Sequence, residues 1–85
     1  MKFTEAAGKV SIDGKPFERF EALPGVLRAQ KVGLAEAVQV QEAFELVHNH
    51  GKVETGDPGD WILRAGEHDI YVVKDETFRK LYRIV

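Results

Sequence analysis

The chain has 85 residues, of which 44% are hydrophobic and 31% charged, with a net charge of −2 and no cysteine. This length encloses one core, and the missing thiols exclude disulfides, thiolate catalysis and cysteine-ligated zinc. The slightly acidic balance argues against broad attraction to nucleic acid or anionic lipid, and no run approaches the ~18–20 apolar residues that cross a bilayer.

In chain order, the first signal is the turn pair Asp13-Gly14. Lys9 to Ile12 alternates before it, with Val10 and Ile12 on one face, and Phe17 to Phe20 follows Pro16. Leu23-Pro24-Gly25 then turns the chain, so residues 1–25 read as an N-terminal hairpin region whose pairing the sequence leaves open. Residues 26–85 read as a β core plus a closing helix.

Val26 to Gln41 is expected to be strand. Leu34, Glu36, Val38 and Val40 fall on one face, and Ala35, Ala37, Gln39 and Gln41 on the other. A helix over 34–47 competes, because Ala, Glu, Gln and Leu are good helix formers. The period-2 split favours strand, since it leaves one face apolar apart from Glu36. Ala43 to His48 reads as a further strand, with Phe44, Leu46 and His48 on one side.

Asp57-Pro58-Gly59-Asp60 is the sharpest punctuation. Proline presets φ at the second turn position, and glycine supplies the positive φ a type II turn needs at the third. Trp61 to Arg64 is then a strand, Ala65-Gly66-Glu67-His68 a tight connection, and Asp69 to Lys74 the returning strand. Asp75 is positioned to cap a helix from Glu76 to Tyr82, whose Phe78, Leu81 and Tyr82 make one apolar stripe.

Together these elements predict a single α+β domain, mostly β, over residues 1–85: a small curved antiparallel sheet or open barrel with a short C-terminal helix. The expected core draws on Val10, Ile12, Leu34, Val38, Val40, Leu46, Ile62, Ile70, Val72, Phe78 and Leu81, with Trp61 as a further anchor.

Pro58-Gly59-Asp60-Trp61-Ile62, then Gly66-Glu67, Tyr71, Lys74, Phe78 and Tyr82, resembles the pattern of small uncharacterised bacterial and phage or prophage proteins of the PGDYG type. Those carry a Pro-Gly-Asp-Tyr/Trp motif, then Gly-Glu, an aromatic, and a terminal Phe-x-x-x-Tyr. Lys31 to Gln39 is similar to the opening strand of the phage versions. The resemblance covers about a third of the chain and implies a mobile-element background but no activity.

Four groups are candidate sites. His48-Asn49-His50 puts two imidazoles on one side of a strand with Glu54 four residues on, a spacing that suits metal chelation and resembles a cupin fragment in a chain shorter than that fold. The competing reading is a polar strand end. Asp57 and Asp60 are a carboxylate pair explained by the turn itself. Glu36, as a buried acid among Leu34, Val38 and Val40, needs a cation such as Arg28, Lys31 or Arg64, or a raised pKa. Lys74, Arg79, Lys80 and Arg83 with Tyr71 and Tyr82 form a basic-aromatic face that a short surface helix also explains.

Ser11 and the threonines have no nearby His–Asp arrangement, so no catalytic residue is assigned, and no cofactor is expected. The expectation is a cytoplasmic, non-enzymatic interaction or structural module that meets a protein partner or a second copy of itself, without a membrane. The alternatives are a small-ligand or metal-binding β domain using His48 and His50, and a weak nucleic-acid binder through the C-terminal basic face.

Overall fold

Alternating residues set the strands of the computed structural model, which describes residues 1–85. In order they are β1 (Lys2–Ala6), β2 (Lys9–Ile12), β3 (Glu18–Arg19), a 3-10 turn (Phe20–Ala22), β4 (Leu27–Gln30), β5 (Leu34–Gln39), β6 (Phe44–Val47), β7 (Val53–Gly56), β8 (Trp61–Gly66), β9 (Asp69–Val73), α1 (Asp75–Leu81) and β10 (Arg83–Ile84). The chain is mostly β, as expected, with one C-terminal helix. The strands form two sheets, ordered β3-β2-β1-β6-β7 and β10-β4-β5-β8-β9. Every pairing is antiparallel except β1 with β6, which run parallel from Lys2↔Glu45 to Thr4↔Val47. No ladder joins β7 to β9, so the sheets do not close into a barrel.

The N-terminal region opens on a strand that its sequence did not announce. β1 and β2 form a tight hairpin through Ala7 and Gly8, both at positive φ, the type I′ pattern. Asp13-Gly14 does turn at positive φ, and the strand after it, β3, pairs antiparallel with β2 as a short ladder, Lys9 opposite Arg19 and Val10 opposite Glu18. Asp13 also fastens the end of β2 to β1: its amide donates to the Lys2 carbonyl, and its carboxylate accepts from the Lys2 amide at 2.9 Å.

The single strand expected from Val26 to Gln41 is two strands, because Lys31-Val32-Gly33 turns the chain and folds β5 back on β4 with Ala29 opposite Ala35. Alternation along β5 holds, and no helix forms over 34–47. What differs is the second face. Val38 and Val40 pack between the sheets with Phe3, Val10, Phe20, Leu23, Phe44, Leu46, Ile62 and Ile70. Ala35 and Ala37 are also buried, on the opposite side, in a second cluster with Ala29, Trp61, Leu63, Val73 and Phe78. The small alanines leave depth for α1, whose Phe78 stacks on Trp61 with ring centroids 3.8 Å apart.

Leu34 and Leu81, expected in the core, are both exposed. Leu34 has the core-facing parity but lies at the strand end, beside Glu36 and Arg64 where the apolar layer stops. Leu81 sits at the helix C-terminus past the edge of the covered alanines.

β7 was invisible to periodicity because its pattern is inverted: Val53 and Thr55 face solvent while Glu54 and Gly56 face inward. Gly56 opposes Phe44, and a Cβ there would lie inside the Phe44 ring. Replacing Gly56 with Val is therefore expected to destabilise the fold by about 1–3 kcal/mol through overpacking. Gly33→Ala, in open space, should stay within about 0.5 kcal/mol. Urea denaturation of the two variants beside the parent checks both.

Candidate functional site

The apolar layer between the sheets does not run their full length. On the inner face of the first sheet, Phe3 and Glu5 share a side of β1, Leu46 lies on that side of β6 with His48 just past the strand end, and Glu54 and Gly56 share a side of β7. At one end, therefore, the layer finishes in Glu5, His48 and Glu54. Glu5 is only 6% exposed, and a carboxylate there is costly unless something satisfies it.

His48 does so. Its Nδ1 lies 3.2 Å from Glu5 Oε1, and its Nε2 lies 2.6 Å from Glu54 Oε2. The other Glu54 oxygen accepts from the Val72 amide of β9 at 3.4 Å, the contact that carries this array from the first sheet to the second. His50 lies face to face with His48, ring centroids 5.3 Å apart and planes within 2°. Asn49 and Lys52 add to one wall, and His68, Asp69 and Tyr71 form the opposite wall. All three histidines of the chain thus line one cleft of about 380 Å³.

The two histidines expected on one side of a strand lie instead just past the end of β6 and in the β6–β7 turn; their rings stack in parallel rather than converge, and both His48 nitrogens face carboxylates. No three His, Asp or Glu side chains converge on one point. Glu5 was missed altogether. Its only trace in the sequence is the alternation of Phe3 and Glu5 around Thr4, which looks like an ordinary amphipathic strand.

The other sequence candidates separate from this cleft. Asp57 to Asp60 is the expected turn, closed by the Asp60 amide on the Asp57 carbonyl at 3.0 Å, with Gly59 at φ +95°. The carboxylate doing the tying is Asp60, not Asp57. Asp60 is buried and accepts from the Asp57 amide at 2.8 Å, the Asp75 amide at 2.9 Å and Lys74 Nζ at 3.0 Å. Burial pushes the Asp60 carboxyl up, but the two amides and the Lys74 ammonium outweigh it and hold it below the ordinary carboxylate range.

Asp75 is the first residue of α1 rather than its cap. Lys74 occupies the cap position with no side-chain cap bond, and Asp60 accepts the free amide of Asp75, the first helical residue. The Asp75 side chain accepts instead from Trp61 Nε1 at 2.9 Å and Arg79 Nε at 2.8 Å, which lower its pKa. Phe78 stacks on Tyr82, whose hydroxyl lies 3.1 Å from that of Tyr71. Burial, and then this contact, push the Tyr71 phenol well above its usual value. Pro58, Gly59, Asp60, Trp61, Phe78 and Tyr82 thus belong to one structural knot, while Gly66 stands apart at the far end of β8 beside a bulge.

Glu36 is half-buried rather than buried, and Arg64 Nη1 donates to it at 2.7 Å, with Glu21 at 3.6 Å from the same nitrogen. On the C-terminal basic face, Lys74 pairs with Asp57 and Asp60, Arg79 with Asp75 and Lys80 with Glu76, so carboxylates offset three of the four cations. No helix of the chain is long and apolar enough to cross a membrane.

Comparison with known proteins found no significant match to any family model, curated protein or solved structure.

The Asp60 knot sets an acid limit. Its folded pKa lies below the unfolded value of 3.8, so its contribution is complete above that value and is lost as pH falls through the folded one. Stability measured by urea at pH 7, 4 and 3 should drop below about pH 4. Asp60→Asn should cost about 1–3 kcal/mol at pH 7, because it leaves buried donors short of an anion, and should flatten the drop. An equally steep drop in Asp60→Asn would assign the acid limit to other carboxylates.

Proposed function

We propose that this chain is a non-enzymatic binding domain whose ligand is a small, polar molecule or ion received in the histidine cleft. The observation that carries this reading is the Glu5–His48–Glu54 array. A buried carboxylate and a nearly buried imidazole stand at the wall of an open cleft, where apolar residues would complete the sheet interior at less cost. The lining of Glu, Asp, His, Lys and Asn suits polar recognition, and it contains no Ser, Thr or Cys nucleophile.

A second reading has its own observation. Val32 is 92% exposed and Leu34 58%, and with Tyr71 and Tyr82 they border a groove of about 250 Å³ on the helix side of the second sheet. Exposed apolar residues grouped in this way favour contact with a protein. Pairing through a sheet edge is less favoured, because two of the four edge strands, β3 and β10, have only two residues each, and the longer edges β7 and β9 adjoin one another through the Glu54–Val72 contact. The resemblance to the PGDYG-type proteins bears on origin and adds no ligand, since most of the residues that carry it lie in the Asp60 knot.

A nitrogen-15 NMR titration with a panel of small charged and neutral polar compounds tests the choice. Shift changes centred on Glu5, His48, His50, Glu54, His68 and Asp69, and lost in His48→Gln, are expected. Changes confined to Val32, Leu34 and Tyr82 would favour the second reading, and a panel that moves neither group would remove the cleft as a site for organic ligands.

A further inference from the structure

Glu5 is the most deeply buried carboxylate of the histidine cleft, its side chain 7% exposed, and only half of it is used. Oε1 faces His48 Nδ1 at 3.2 Å, while Oε2 accepts no hydrogen bond from the chain. That oxygen is not sealed in: Arg64 Nε, elsewhere in the molecule, is the one buried side-chain polar atom without a partner. An ionised carboxylate only accepts, and a largely desolvated one short of donors gains more from an incoming N–H than a surface one does. His48, engaged at both nitrogens, keeps Oε1 occupied and so fixes which oxygen of Glu5 is free.

The charge of the cleft has the matching sign. Glu5, Glu54 and Asp69 line it against a single ammonium, Lys52, and the excess stays negative even with His48 carrying a second ring proton. Asp69 is exposed on the wall opposite Lys52 and pairs with no cation of the chain. A bare metal ion is a poor match, because it needs several ligand atoms around one point and none are gathered. An alkylammonium brings three N–H donors of its own and reaches separate carboxylates through charge-assisted bonds of about 2.7–2.9 Å.

We propose that the cleft receives a small organic cation with a primary ammonium group, Glu5 Oε2 being its deep acceptor and Asp69 its second. The assignment rests on the histidine cleft being the ligand site and names the class of ligand that site takes. Ala7, Ile70 and Tyr71 give a short carbon stem apolar surface within the cleft of about 380 Å³. Lys52 is the lining group of opposing charge, so it weakens the site it borders.

Nitrogen-15 NMR titrations at constant ionic strength compare butylammonium, butyltrimethylammonium, butanol and butyrate, four probes that share a stem. Butylammonium is expected to bind saturably and one-to-one, shifting the amides of Glu5, His48 and Asp69. The other three should bind at least tenfold more weakly, the trimethyl compound because it keeps the charge but has no N–H to donate. Glu5→Gln should weaken butylammonium binding about 10–100-fold and Asp69→Asn about 2–5-fold, while Lys52→Gln should tighten it by a similar small factor. Circular dichroism confirms that each variant is folded; should Glu5→Gln unfold, the probe series on the parent and the two surface variants decide. No saturable binding of butylammonium, equal binding of the trimethyl compound or butanol, or affinity unchanged in folded Glu5→Gln overturns the assignment. Butyrate or a neutral compound shifting the cleft resonances while butylammonium does not would overturn the ammonium site alone; failure of every compound would remove the cleft as well.

Discussion

The second sheet is the middle of three layers, and residue size along β5 makes that possible. Valine faces the first sheet, and alanine faces the helix, where Ala29, Ala35 and Ala37 form a shallow floor. A helix of seven residues is far too short to hold itself together in water. It exists because Phe78 sits on that floor against Trp61, and because Asp60 and Trp61 hold its first turn. Larger side chains at the three alanines would lift α1 away and expose the opposite face of the very strands that build the main core.

Two buried carboxylates show how differently a fold treats charge. Asp60 is surrounded by two backbone amides and an ammonium, each at hydrogen-bonding distance, and it joins the 57–60 turn to the helix. Glu5 has one side-chain partner, a histidine that is shared with a second carboxylate. Charges matched by several fixed donors behave as fasteners. A charge matched by a single shared ring, next to open space, is the one whose surroundings change most when something enters that space.

Much of the fold could be read from the chain because its signals were local. The Asp57–Asp60 turn, the β8–β9 hairpin and the alternation of β5 depend on neighbours in sequence, and all three formed. The split at Lys31-Val32-Gly33 was hidden by β-branched and apolar residues that read as strand. β7 was hidden because its inward positions are a glutamate and a glycine, the reverse of a core pattern. The site was less legible still. His48 and His50 announced themselves, but Glu5 is forty-three residues from His48, and only the parallel pairing of β1 with β6 puts it opposite. Glu36 misled because parity placed it among core residues, while the apolar layer ends one residue pair earlier.

That parallel pairing also fixes an order of assembly. β1 lies at the centre of the first sheet, between β2 and β6, and the Met1 amine reaches the Ala43 carbonyl at 3.1 Å. The N-terminal hairpin must wait for a strand some forty residues downstream before its open side is covered, a long loop to close in so small a chain. On the ribosome that seam stays bare until β6 and β7 emerge, and a peptide fused directly ahead of Met1 would emerge from the middle of a sheet instead of from a loose end.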